Sequence, residues 1–271
     1  MPPYRPKRKT RMPWWLLAIV LIGLVLLWAI VSDATYNQIF TALSGGLITT
    51  LWVSLVAFVL ALALGLAVAL ARTSGVRVLS EIATFYTEIV RGIPVLVFLF
   101  YVAFVGAPMI VGAVNWLLTP AIASDLMAPL TVRNFDFTWR AIVALMVCYS
   151  AFLAEIFRAG IEAVDQGQVE AAKALGFTRW QIFRLVVAPQ ALRIVLPPIG
   201  NDFVSMIKDS ALVSALGVQD ITQLGKVYSS GTFKFFETYN VVAFLYLVMT
   251  ISLSLMVRGL EHYLKRNHHR R

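Results

Sequence analysis

Residues 170–189 read EAAKALGFTRWQIFRLVVAP, a polar, basic stretch flanked on both sides by long apolar runs. The residues before it, RAGIEAVDQGQVEAAKAL from Arg158 to Leu175, are rich in Ala, Glu and Gln and predict a helix whose weak point is Gly167. Gly176 stands where a glycine at C′ ends a helix. Thr178 is placed to cap a second helix, and Gln181 three residues on completes a capping box, with Phe177 and Ile182 at the two positions of a hydrophobic staple. The second helix is expected to reach Val187 and to stop before Pro189. The stretch thus predicts a short helix–turn–helix set between apolar segments.

The composition explains those flanks. The chain of 271 residues is 59% hydrophobic and 14% charged, with mean hydropathy +0.79. Soluble domains carry about 25% charged residues and about half apolar ones, so a bilayer is the solvent this sequence fits. The net charge of +9 therefore reports first on which loops face the cytoplasm, and not on nucleic acid. Cys148 is the single cysteine, lies in an apolar run and reads as a small buried hydrophobe.

Six apolar segments follow, at Trp14–Val31, Leu47–Ala71, Ile93–Ala113, Trp139–Phe157, Leu192–Ile207 and Asn240–Val257. Each approaches the roughly 20 residues that cross a hydrocarbon core of about 30 Å. The fifth is short and interrupted by Pro197 and Pro198. The first is too long for a signal-peptide core and lacks a clear cleavage site after it, so it reads as a retained membrane helix. Trp14 and Trp15 suit an interfacial anchor. Lysine and arginine concentrate in the tail before Trp14, in Arg72, Arg77 and Arg91, in Lys173, Arg179 and Arg184, and in the tail carrying Lys265, Arg266, Arg270 and Arg271. Ser32–Gly46 has none and Val114–Thr138 only Arg133. Six crossings then place both termini and the helix–turn–helix in the cytoplasm. The apolar patch WLLTPAIASDLMAPL within 114–138 is too proline-interrupted to span and reads as an interfacial or partner-facing surface on the opposite side. The terminal KRNHHRR reads as a solvated tail and not a metal site.

Two uses of the polar element compete on physical grounds. It either lies in the lipid headgroups or offers its aliphatic and aromatic residues to a groove on a soluble protein. Reading DNA is disfavoured, because the flanking spans pin the element to the bilayer.

The pattern Glu170-Ala171-Ala172, three residues, Gly176, nine residues, then Val186, Val187, Ala188 and Pro189 resembles the EAA loop of binding-protein-dependent ABC importer permeases. The usual ending is Ile-x-Leu-Pro, so Val186 and Ala188 depart from it, both with small apolar residues. YTEIVRGIPVLVFLF (86–100), AEIFRAGIEAVDQGQVEAAKALG (154–176), PQALRIVLPPIGND (189–202) and IKDSALVSALGV (207–218) likewise resemble the polar-amino-acid branch, so the likeness covers about Leu47 to Glu261. The resemblance implies an all-α polytopic membrane protein of about six transmembrane helices with the type I ABC importer permease fold. It implies that Glu170, Ala171, Ala172, Gly176, Arg179, Trp180 and Phe183 couple the chain to an ATPase. It also implies two ATP-binding subunits, a second permease copy or relative, an extracytoplasmic solute-binding protein and an amino acid substrate, in the cell membrane. Residues 1–45 would be a basic tail and first helix, 46–262 the permease core with the hairpin at 158–189, and 263–271 a basic tail.

A phosphate cradle is missing. Gly225-Lys226 is preceded five residues earlier by Asp220 and followed by Val227, so no GxxxxGK[ST] is formed and ATP with its Mg is expected in a partner. No cofactor or metal is expected on this chain, and an enzyme is not. A charge at a bilayer centre costs about 2.5–3.5 kcal/mol, which makes polar residues within spans candidates for function. Glu88/Arg91 and Glu155/Arg158 are matched at i, i+3 and read either as self-neutralising interfacial pairs or as gate contacts between helices. Pro197-Pro198 followed by Gly200, Asn201 and Asp202 predicts a broken helix, with Ser205, Lys208 and Asp209 just beyond. Asn201 and Asp202 would accept from an ammonium group and Ser205 would donate to a carboxylate, with Glu155 and Lys208 as further path candidates. Helix-packing polar contacts, or a Lys208–Asp209 salt bridge at an outer gate, are the competing reading. Alternatives for the whole chain are a same-fold importer of an opine or another small zwitterion, and a membrane scaffold or enzyme with a surface hairpin.

Overall fold

The structure, a computed structural model, describes residues 14–268, leaving aside the side chains of 15, 16 and 262–268. The basic tail before Trp14 and the charged side chains after Glu261 lie outside what is described. Among the described residues the chain is helical throughout, without strands. The helices are α1 (Trp14–Ser32), α2 (Ala34–Thr73), α3 (Arg77–Gly92), α4 (Val95–Tyr101), α5 (Ala107–Leu117), α6 (Thr119–Ala123), α7 (Phe137–Glu162), α8 (Gln166–Ala174), α9 (Arg179–Ile182), α10 (Ala188–Asp209), α11 (Ile221–Thr232) and α12 (Phe235–His268).

Five helical rods are long and apolar enough to cross a membrane: Ala34–Thr73, Val95–Leu117, Phe137–Glu162, Arg179–Leu216 and Phe235–Glu261. Leu17–Ser32 of α1 is a sixth, shorter apolar helix that packs on α2 and α12. Aspartates start four of the helices. Asp33 accepts from the amides of Thr35 and Tyr36 at 2.7 and 3.2 Å, Asp136 from Trp139 at 2.9 Å, Asp165 from Gln168 at 3.2 Å and Asp220 from Gln223 at 2.8 Å. Each satisfies an amide that the first helical turn leaves without a partner.

The main core joins α2, α4, α7 and α10. Val53, Ala57 and Ala61 of α2 meet Ile142, Leu145, Tyr149 and Leu153 of α7 with Leu99 of α4 and Met206 of α10. A second cluster gathers Ile39 and Leu43 of α2 with Ile207, Ile221, Val241 and Leu245. Large side chains such as Trp28, Val59 and Met256 stay exposed on the rods, as expected where lipid is the solvent.

Three expectations about the course of the helices do not hold. The helix expected to run from Arg158 to Leu175 is interrupted at 163–165, because the Asp165 side chain captures the Gln168 amide and starts a new helix there. Pro189 does not stop the second helix, and Pro197-Pro198 do not break the fifth span. The rod from Arg179 runs through a π-helical turn at Phe183–Val187 into α10, with Pro189 in its first turn. The π turn shifts the register of the backbone bonds, so the missing proline amide falls where the ladder is already interrupted. Packing supports a continuous helix through Pro197-Pro198: Val195 is buried, and a Cβ on Gly200 would lie 2.7 Å from Val257 Cγ1 of α12.

At the end of the bundle away from the hairpin, the segment between α5 and α7 is tightly closed. The Asn115 side chain donates to the Leu130 carbonyl at 2.8 Å and accepts from the Leu130 amide at 2.9 Å. Arg140, only 7% exposed, donates to the carbonyls of Phe135, Val132 and Ala103 at 2.6, 2.6 and 3.2 Å and stacks on the Phe137 ring at 4.5 Å.

Candidate coupling hairpin and transport path

The hairpin is built by local chemistry. At the end of α8 the Gly176 amide donates to the Lys173 carbonyl at 2.9 Å and the Phe177 amide to Ala172 at 3.1 Å, a Schellman turn that holds Gly176 at φ +80°. Thr178 then caps α9. Its Oγ1 accepts from the Gln181 amide at 3.3 Å, and the Gln181 side chain accepts from the Thr178 amide at 2.8 Å. The capping box is therefore present. The staple is not complete: Ile182 is buried but Phe177 stays 39% exposed and outside the hairpin's cluster.

Beneath the turn, Val164, Ala172, Ile182, Val187 and Ala191 form a separate apolar cluster edged by Val169, Phe183 and Val186. This divides the seven coupling candidates. Ala172 packs inside, Phe183 lies at the cluster's edge, and Gly176 makes the turn. Glu170, Ala171 and Arg179 face outward, as does Trp180, which is 66% exposed and stacks on Phe183 with ring centroids 6.0 Å apart. Leu175, at 76% exposure, belongs to the same outward surface and was not among the residues singled out from the sequence. Glu170 has no hydrogen-bond or ion-pair partner among the described residues, so its charge is available to another molecule.

Just above the hairpin lies an ionic cluster. Glu155 accepts from Arg72 Nη1 at 2.7 Å and pairs with Arg158, which also pairs with Glu162. Arg72 reaches Thr87 as well, at 3.4 Å, so α2, α3 and the end of α7 are joined. The Glu155/Arg158 pair expected from spacing is formed. The Glu88/Arg91 pair is not: both residues are exposed, and Arg91 lies over the Phe152 ring at 5.7 Å instead. Equal spacing gave different outcomes because Glu155 faces a packed neighbour and Glu88 faces away from the bundle. Arg72 was read only for orientation, and its partner 83 residues away has no signal in local spacing.

The path candidates separate by helix face. Asn201 and Lys208 of α10 are exposed, Ser205 is half-buried, and Asp202 turns inward with Oδ2 buried and without a hydrogen-bond partner. Glu155 is held in the ionic cluster, away from these residues in sequence and engaged by two guanidinium groups. Lys208 and Asp209 do not pair; Asp209 accepts from the Tyr149 hydroxyl at 2.8 Å, a contact across α7 and α10. Tyr149 was not singled out from the sequence, where it stands inside the apolar segment Trp139–Phe157.

Comparison with known proteins bears on this arrangement. Residues 61–267 match the family described as "Binding-protein-dependent transport system inner membrane component". A curated protein of Bacillus subtilis, "Probable amino-acid permease protein YxeN", is 36% identical over 80% of this chain and 88% of its own length. The "Glutamine transport system permease protein GlnP" of Escherichia coli is 34% identical over 80% of this chain and 90% of its own. Among solved structures, one described as "Crystal structure of an amino acid ABC transporter with histidines" superposes with a TM-score of 0.69 at 33% identity, over 86% of this chain and 97% of that one. The MetNI methionine ABC transporter in an inward-facing form shares the fold at a TM-score of 0.57 and 21% identity, over 87% of this chain and 98% of that one.

Proposed function

This chain belongs to the family of binding-protein-dependent transport system inner membrane components, and on that premise we propose that it carries amino acids across the cytoplasmic membrane as the permease subunit of an ATP-driven importer. The observation that carries the reading is a capped two-helix hairpin, presenting Glu170, Leu175, Arg179 and Trp180 outward, in a chain similar over four-fifths of its length to proteins named for amino-acid and glutamine transport. The opine and scaffold or enzyme alternatives draw no support from these relatives.

In this reading both termini and the hairpin are cytoplasmic. The hairpin seats in a separate ATP-binding subunit, which holds ATP and Mg, since the chain has no phosphate cradle of its own. Two such subunits and a second permease, identical or related, complete the membrane assembly. A solute-binding protein delivers substrate to the opposite face. Closure of the ATPase pair moves the hairpins, and the bundles alternate between faces. Asp202 serves on the path: its buried, unpartnered oxygen is an acceptor for the substrate's ammonium group, since a buried acceptor left empty costs about 1–3 kcal/mol.

Reconstitution with the ATPase and binding protein, reading uptake of labelled amino acids against ATP hydrolysed, tests this. Gly176→Val forces a β-branched residue into φ +80°, a penalty of roughly 1–2 kcal/mol that a rigid docking turn converts to about tenfold in uptake. Glu170→Ala disturbs no internal contact and should lower uptake while the protein stays folded in the membrane. Unchanged uptake in both would remove the coupling role. Asp202→Ala should alter the substrate dependence of uptake, and wild-type kinetics would take Asp202 off the path.

A further inference from the structure

The hairpin hangs on two stems that are built differently. On one side α7 ends at Glu162, and residues 163–165 intervene before α8. On the other side the rod from Arg179 to Leu216 is continuous into the bundle. A push on α8 would be lost at the 163–165 break unless α8 were tied to the continuous rod.

It is tied twice. Ala172 of α8 is buried with Ile182, Val187 and Ala191 of the rod. Above that cluster the Gln190 side chain donates to Gln168 Oε1 at 2.7 Å and to the Val186 carbonyl at 2.9 Å. Both amide hydrogens of Gln190 are thereby used. The Val186 carbonyl can only accept, so it fixes which end of the Gln190 amide is the nitrogen, and Gln168 must then present its oxygen. Gln190 stands in the first turn of α10, directly after the π turn and Pro189. Lower down, α7 touches the same rod at Gly160, where a Cβ would overlap Val195 Cγ1 and come within 3.4 Å of the Ala191 carbonyl.

We propose that Gln190, with Gln168 as its acceptor, is a positioning residue that makes α8 and α10 one rigid body, so that motion imposed on the hairpin enters the membrane through α10 and not through α7. The proposal rests on the coupling role given above. It explains why the α7 stem tolerates a break beside the hairpin while the α10 stem keeps helical continuity through three prolines.

The test uses the complete transporter in proteoliposomes, with uptake per ATP hydrolysed as the readout. Gln190→Glu replaces the donor by an oxygen facing two acceptors, and Gln168→Leu removes the acceptor. Each should lower the ratio by roughly threefold to tenfold, the scale of one hydrogen bond, with the thermal midpoint unchanged because the bond is at the surface. Gln168→Glu keeps an acceptor for Gln190 and should keep the ratio; Gln190→Glu preserves the side chain's bulk and removes only its donors, so its loss is an outcome that a merely structural role for bulk does not produce. Cysteines at 168 and 190 bridged by a short thiol-specific reagent should leave uptake intact, since the two helices never part. Wild-type ratios in Gln190→Glu, or arrest of uptake by the bridge, would overturn the latch. Failure of the wild-type assembly itself to couple hydrolysis to uptake would instead overturn the transporter reading.

Discussion

The two ends of α7 hold arginines in opposite ways. At its start Arg140 is 7% exposed and meets no carboxylate among the described residues; its donors go to three backbone carbonyls and its plane to an aromatic ring. At its end Arg158 and the approaching Arg72 meet carboxylates, with Glu155 shared between them and Glu162 also paired with Arg158. Carbonyls are fixed parts of the chain, so the Arg140 cluster locks one irregular backbone: the loop before α7 and a π-helical turn at Val102–Gly106, between α4 and α5, that offers the Ala103 carbonyl. Carboxylates on rotatable side chains can trade partners without moving the backbone. One end of the helix is therefore a rivet and the other a joint, and the joint lies on the hairpin side, where the proposed function requires movement.

The largest effect is expected at the rivet. Arg140→Leu leaves three carbonyls short of a donor, and charge-assisted bonds of this kind are worth about 1.5–3 kcal/mol each. Relief of the cost of burying a guanidinium offsets part of this. We expect a net loss of about 3 kcal/mol, read as a marked fall in thermal midpoint and in yield after detergent extraction. Arg140→Lys should fall between, because an ammonium can reach fewer of the three carbonyls. A wild-type midpoint in Arg140→Leu would show that the carbonyl cage carries no weight.

A smaller effect is expected at the joint. Glu155→Gln removes the shared carboxylate but leaves Arg158 with Glu162 and Arg72 with Thr87. The side chains of Arg72 and Glu155 are only 14% and 29% exposed, but each arginine keeps a second partner, so about 1 kcal/mol of stability should be lost. A cost equal to that of Arg140→Leu would erase the distinction between the two ends.

What was legible in the sequence follows the reach of the chemistry. Gly176, Thr178 and Gln181 act on backbone groups within three residues, so the hairpin's turn and cap were readable from order alone. The apolar runs gave the spans for the same reason: burial in lipid is a property of each segment. Contacts between segments left no such trace. Arg72 and Glu155 meet across 83 residues, and Tyr149 and Asp209 across 60. The continuity of α10 through Pro197 and Pro198 was misread because local rules weigh a proline pair without the α7 and α12 surfaces that pack against the helix. The interruption before α8 was not foreseen, because helix propensity over 158–175 does not weigh the side-chain cap that Asp165 offers to the Gln168 amide.

The smallest effect separates spacing from surroundings. Glu88 and Arg91 have the same i, i+3 relation as Glu155 and Arg158, and on an isolated helix such pairs are worth about 0.2–0.5 kcal/mol. Here the first pair does not form, because both side chains are exposed and Arg91 lies over Phe152 of α7, while the second is drawn together by Arg72 arriving from another helix. Glu88→Gln should therefore change stability by less than about 0.3 kcal/mol, near the resolution of a thermal shift assay. Adding Arg72→Met to Glu155→Gln should produce less than the sum of the two single losses, since they share one contact, whereas Arg72→Met with Glu88→Gln should be additive. A Glu88→Gln cost matching that of Glu155→Gln would mean that sequence spacing alone makes the joint. A negligible one means the third partner makes it, and that the joint is a property of the packed bundle, present only when α2 and α7 have met.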